Sequence, residues 1–219
     1  VRVDQGHLPA ALEAYGASLK LISVRATASP QDVDLQLAHA QTVAFIGKAH
    51  WIQGDLDAAE RDFRSADSIL ARVEKAGAAG PEFMLQMQSV EINLGHVLES
   101  RGRLDEALAK YKDALVLAEK LVAAKPDNVQ WSVRLGAAHN NLGKIALMRG
   151  DLLTSLAEYA ADDRIETELS ARDSRNNDQR QNMFRVRAIL GRTLALVGET
   201  DAAIRHLREA LDIASQLMQ

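Results

Sequence analysis

Apolar residues recur three and four positions apart along nearly the whole chain, with polar residues between them, which is the pattern of helices that bury one face. Over residues 1–27 that face is Leu8, Leu12, Tyr15, Leu19 and Ile22. Pro30 closes the segment, and a helix from Gln31 to Gln53 follows, with Leu35, Thr42, Phe45, Ile46, Ala49 and Ile52 on its packing side and Gly54 at its end, where a left-handed residue is needed. The next helix runs from Asp55 to about Lys75 and breaks at Ala76-Gly77-Ala78-Ala79-Gly80-Pro81. Helices at Glu82–Arg101 and Arg103–Ala124 meet at Gly102, and Lys125-Pro126-Asp127-Asn128 supplies a stop and a new N-cap. Val129–Arg149 and Asp151–Arg172 form a further pair, a polar stretch covers Ser174 to Arg180, and the last pair spans about Gln181 to Val197 and Thr200 to the end. Each helix is about 20 residues, or roughly 30 Å, and β-branched alternation is nowhere sustained, so strands are not expected.

The turns repeat. A glycine opens the phrases GHLPAALEAY at Gly6, GDLDAAERDF at Gly54, GRLDEALAKY at Gly102, GDLLTSLAEY at Gly150 and GETDAAIRHL at Gly198, each 48 residues after the last. With glycine at about 7% of residues, four further in-register glycines have a chance probability on the order of 10⁻⁵, so the chain reads as a repeat protein whose units bury one another.

A second word precedes each turn: Phe45-Ile46-Gly47, Asn93-Leu94-Gly95, Asn141-Leu142-Gly143 and Ile189-Leu190-Gly191. Downstream stand a small residue (Ala59, Ala107, Ser155, Ala203), a ring (Phe63, Tyr111, Tyr159) and Ala66, Ala114 or Ala210. Together these words resemble the tetratricopeptide repeat (TPR) over essentially the whole chain. The resemblance implies an all-α fold, a TPR-like right-handed superhelical solenoid of antiparallel helix pairs with about nine long helices. Residues 1–29 form a partial repeat holding only the second helix, and 30–77, 78–125, 126–173 and 174–219 form helix-pair repeats of a single solenoid. The glycines and alanines admit a neighbouring helix, and the rings fill the wedge between successive pairs. The family's usual period is about 34 residues, so the longer spacing implies about two extra turns per helix and a deeper groove, similar to long-repeat variants in large bacterial signalling proteins.

Composition narrows the partners. The formal charge is −4, from 26 Lys plus Arg against 30 Asp plus Glu, so no global field draws in nucleic acid or an anionic membrane. There is no cysteine, which removes disulfides, thiolate metal sites and cysteine nucleophiles. No apolar run approaches the roughly 20 residues of a membrane helix, so direct membrane insertion is not expected. Val1 is not an initiator methionine, which suggests a processed protein or a piece of a longer one. These features favour a soluble, cytoplasmic protein over the extracytoplasmic part of a membrane-anchored one, with the compartment otherwise unassigned.

Reactive chemistry is sparse. The histidines at 7, 39, 50, 96, 139 and 206 have no paired metal-ligand spacing, and no phosphate loop or HExxH occurs, so neither metal, cofactor nor catalysis is expected. Carboxylates such as Glu106 stand beside a base such as Lys110, as solvated helix-face pairs do. Asp162 is an exception: it holds a position where other repeats have Ser18, Ala66, Ala114 and Ala210. A locally splayed, solvated repeat is the favoured account, and a buried carboxylate paired with Arg185 or Arg187 the alternative. Trp131 aligns with Leu35 and Phe83 and is expected in the core, whereas Trp51 is expected either at the groove or packed.

One column varies in an informative way. Lys48, His96, Lys144 and Arg192 each follow the packing glycine, and the family resemblance places this face of the first helices on a concave surface offered to peptides. With Trp51, Asn140 and Arg185 they form an expected partner-binding groove for an extended or helical segment bearing acidic side chains or a free carboxylate. The function expected is a non-catalytic protein-protein interaction scaffold. The alternative is a ligand- or peptide-responsive sensor region of a larger bacterial signalling protein such as a kinase or regulator. Ala203, Leu207, Ala210, Leu211, Ala214 and Leu217 leave an apolar stripe on the last helix, so self-association through the terminal helices is a further expectation.

Overall fold

A computed structural model describes residues 8–173 and 175–218; Gly6, His7 and Ser174 lie outside the described residues. Among the described residues the chain is nine helices with no strand: α1 (Leu8–Ala28), α2 (Val33–Gln53), α3 (Leu56–Lys75), α4 (Pro81–Ser100), α5 (Leu104–Ala124), α6 (Val129–Met148), α7 (Leu152–Arg172), α8 (Asn177–Leu196) and α9 (Thr200–Leu217).

Capping chemistry explains the boundaries. Asp32, Asp55, Asn128 and Asp151 accept from the backbone N–H three residues on, at 3.0, 2.9, 3.2 and 3.1 Å, satisfying a donor the first helical turn leaves orphaned. Asp32 therefore starts α2 two residues later than the sequence suggested. Asn176 accepts from Asp178 and Gln179, so α8 begins at Asn177 and absorbs most of the polar stretch expected to be loop. At the other end of α2, Gly54 takes φ +83° and the Asp55 N–H returns to the His50 carbonyl at 3.0 Å, a turn that a Cβ would strain. Gly102, Gly150 and Gly198 repeat that positive φ.

The chain divides into two compact units, 1–117 and 118–219. In unit 1, α2 and α3 enclose Leu37, Ala40, Val43, Ala66, Ile69, Leu70 and Val73, joined by Phe83 and Val90 from α4. In unit 2, α6 and α7 contribute Leu142, Ile145, Tyr159 and Leu169, and α8 and α9 contribute Val186, Leu190, Ala203, Ala210 and Ile213 to the buried set.

The recurring words of the sequence meet in space as glycine against ring. A Cβ at Gly95 would lie 2.5 Å from Tyr111 Cε1, one at Gly143 2.8 Å from Tyr159 Cε1, and one at Gly47 3.2 Å from Phe63 Cε1. The three rings are buried, and each packs on the glycine of the helix facing it within its own pair. Leu207 takes the ring's place against Gly191. Two expected core residues lie further out: Phe45 is exposed and stacks on Tyr15 at 5.5 Å, and Trp131 is half-buried.

Candidate functional site

In unit 1 the packing glycines set the stage for an aromatic cluster. Tyr111, held against Gly95, directs its hydroxyl back to α4, where it donates to Glu99 Oε2 at 2.8 Å and lies 2.7 Å from His96 Nδ1. Burial and the Glu99 carboxylate both push the phenol well above its ordinary range, so it remains a hydroxyl. The His96 ring stands edge-on to Tyr111 at 5.5 Å and stacks on Trp51 of α2 at 5.9 Å with an interplanar angle of 11°. Two of the expected groove residues, Trp51 and His96, are thus brought together, with His96 engaged by the protein interior. Lys48, one turn before Trp51, is exposed and has no carboxylate partner among the described residues. Behind it His50 Nδ1 meets Asp62 Oδ2 at 2.7 Å.

In unit 2 Asp162 is buried, 4% exposed, which overturns the solvated, splayed repeat expected from sequence. Its Oδ2 accepts from Asn140 Nδ2 at 2.9 Å. Arg187, one of its two expected partners, pairs with Asp163 at 3.0 Å and with Glu209 at 3.2 Å. Arg185 is exposed, bonds Asn182, and acts on Asp162 through its charge alone. One turn along α7, Glu166 is 3% exposed, accepts from Asn182 at 3.3 Å and leaves Oε2 without a hydrogen bond. Desolvation, above all, raises the Asp162 carboxyl to about 6 and the Glu166 carboxyl to about 7, and for Glu166 the neighbouring Asp162 charge adds to it.

The remaining groove residues are Lys144 and Arg192. Lys144 is half-buried on α6. Arg192 is exposed, has no carboxylate partner among the described residues, and lines a cleft of about 200 Å³ with Leu147, Tyr159, Ile189, Thr193 and Leu196. The seven expected residues therefore fall into a Lys48–Trp51–His96 group on unit 1 and an Asn140, Lys144, Arg185 and Arg192 group on unit 2.

Several charged contacts escaped the sequence reading. Lys110 does not pair with Glu106; it reaches Glu91 at 2.9 Å and Asp67 at 3.4 Å, and Glu106 pairs with Arg103. Glu91 is buried, and desolvation raises it to about 7 against the pull of Lys110. Glu60, also buried, takes Arg64, Arg101 and Arg103 at 2.8, 3.2 and 2.7 Å. In unit 2 His139 Nδ1 meets Glu158 Oε2 at 2.7 Å. Among the described residues no group of three or more His, Asp or Glu could hold a metal ion, and no helix is long and apolar enough to cross a membrane.

Models of the tetratricopeptide repeat match residues 92–121 and 185–209. Solved structures similar over nearly the whole chain share the fold at low identity. The crystal structure of the Podosopora anserina putative kinesin light chain nearly identical TPR-like repeats has TM-score 0.61 at 14% identity, covering 96% of each chain. MamA gives 0.54 at 15%, covering 92% of this chain and 90% of its own, and BtubC (BKLC) from P. vanneervenii gives 0.52 at 15%, covering 96% and 92%. No curated protein sequence matches.

Proposed function

For this tetratricopeptide-repeat protein of all-α, TPR-like fold, we propose the role of a non-catalytic protein-protein interaction scaffold. We assign its partner segment to the exposed faces of the first helices, α2 and α4 on one unit and α6 and α8 on the other. The observation that carries this reading is the Arg192 cleft. An unpaired guanidinium borders an apolar hollow in which Leu196 is 64% exposed, a combination suited to a segment that alternates acidic and aliphatic side chains. Lys48 beside the Trp51–His96 stack offers the same pairing of charge and apolar surface on unit 1. Asn140 is turned inward to Asp162 and serves by fixing α6 against α7.

The repeat division 30–77, 78–125, 126–173 and 174–219 is the corresponding proposal for how recognition elements recur, one basic position per repeat. Self-association is assigned to α9, whose Ile204, Leu207 and Leu211 are exposed; light scattering that reports a monomer at every concentration removes that assignment. The groove reading is tested by reversing Lys144 and Arg192 together to Glu. Capture of an acidic peptide should weaken while helicity stays intact, and unchanged affinity rules the groove out.

A further inference from the structure

A cleft of about 390 Å³ opens in unit 1 where the end of α1, the start of α2 and the end of α3 meet. Its frame is fixed by backbone. Gln36 is buried and donates from Nε2 to the Ala26 carbonyl at 2.7 Å and to the Ser29 carbonyl at 3.4 Å, stapling the α1–α2 turn. Ala26, Val33 and Val73 supply apolar lining, while His39 and Arg72 are the charged or titratable lining groups, with no carboxylate among the lining residues.

Arg72 bonds Ser68 Oγ at 3.3 Å, and neither it nor His39 has a carboxylate partner among the described residues. Burial, and after it the Arg72 charge, holds the imidazole below its ordinary value, which favours its neutral form beside the guanidinium. The positions 48, 96 and 144 residues after His39 hold Met87, Leu135 and Met183. An apolar side chain therefore suits this place in a helix pair, and the imidazole is a departure that packing does not require.

We infer that this cleft binds a small organic oxyanion, with its charged head between His39 and Arg72 and its aliphatic body against Ala26, Val33 and Val73. A guanidinium and an imidazole suit a carboxylate or a phosphomonoester. The volume equals about a dozen waters at roughly 30 Å³ each, more than a bare inorganic ion fills. None of the proposed groove residues lines it, so this site is separate from the partner surface.

The test is titration of the whole chain, by calorimetry and by amide chemical shifts, with butyrate, n-butyl phosphate and inorganic phosphate, and with n-butylamine and n-butanol as controls. Saturable binding of butyrate or of n-butyl phosphate is expected, with R72Q and H39M each weakening it about tenfold or more. H39M installs the residue found at the corresponding position of α4 and should leave the fold intact. Preference for butyrate identifies carboxylates as the natural class, and preference for butyl phosphate identifies phosphomonoesters. The inference is overturned by no saturable response, by n-butylamine binding equally well, by inorganic phosphate matching butyl phosphate, or by R72Q binding unchanged. R72Q should not alter acidic-peptide capture, nor the Lys144 and Arg192 reversal alter butyrate or butyl phosphate binding, so the two readings fail separately.

Discussion

The carboxylate of Asp162 fills the space that Gly136 leaves open: a Cβ at position 136 would lie 2.7 Å from Asp162 Oδ1, with Glu166 Oε1 at 3.5 Å. Counting back 96 residues, the same three places hold Ala40, Ala66 and Leu70, all in the apolar core of unit 1. Where that repeat places an apolar trio, this one sets a glycine against two acids. The G136A variant should destabilise by about 1–3 kcal/mol in urea titration, because the buried carboxylate has to shift.

That pair of acids gives the stability a definite pH dependence. The folded-state values, about 6 for Asp162 and about 7 for Glu166, lie above ordinary carboxyl values, so the folded chain holds protons that the unfolded chain releases. Stability linked to these protons is fully present below about pH 4 and is lost as pH rises through 6 and 7. E166Q, which mimics the neutral acid, should stabilise by about 1–3 kcal/mol at pH 8 and be near neutral at pH 4.5. Equal effects at both pH values would falsify the assignment.

Glu60 has the opposite sign. Its hydrogen bonds with Arg64 and Arg103 outweigh burial and hold its carboxyl below the ordinary value, so its contribution is present above that value and fades as pH falls through the folded-state one. E60A leaves Arg64, Arg101 and Arg103 to repel one another and should destabilise by about 1–3 kcal/mol at pH 7, with a smaller effect at pH 3.

The glycine-to-ring contacts rank the glycine substitutions. G95A drives a Cβ into the buried Tyr111 ring and should cost about 3 kcal/mol, whereas G54A meets open space and costs about 1 kcal/mol through its φ of +83° alone. Thermal denaturation of the two variants side by side checks the order, and a larger loss for G54A contradicts the packing account.

Removing the Tyr111 hydroxyl tests the aromatic cluster. Y111F deprives His96 and Glu99 of a shared partner and should cost about 1–2 kcal/mol while changing Trp51 fluorescence, since the indole reports on the ring stacked against it. An unchanged emission spectrum means that the stack does not depend on the hydroxyl.

The helices and the glycine turns were legible because both are local: a cap and its N–H are three residues apart, and the words Asn-Leu-Gly and Tyr recur at fixed distances. The burial of Asp162 was not, because its neighbour Gly136 and its partner Asn140 lie on another helix, 26 and 22 residues away in the chain. The rule for helix neighbours pairs Lys110 with Glu106, while the structure turns it toward Glu91 of α4 and Asp67 of α3. The column Lys48, His96, Lys144 and Arg192 reads as one kind of position, but Tyr111 engages His96 in unit 1, while in unit 2, where Leu207 holds the ring's place, Arg192 borders a hollow. Periodicity equates positions; the side chains opposite them decide what each position does.

The two tryptophans have a practical consequence. Trp51 belongs to unit 1 and Trp131 to unit 2, so each compact unit carries its own fluorophore. With W131F and W51F, the melting of either half can be followed alone, and coincidence of the two curves would measure directly whether the protein breaks as one cooperative block or in stages.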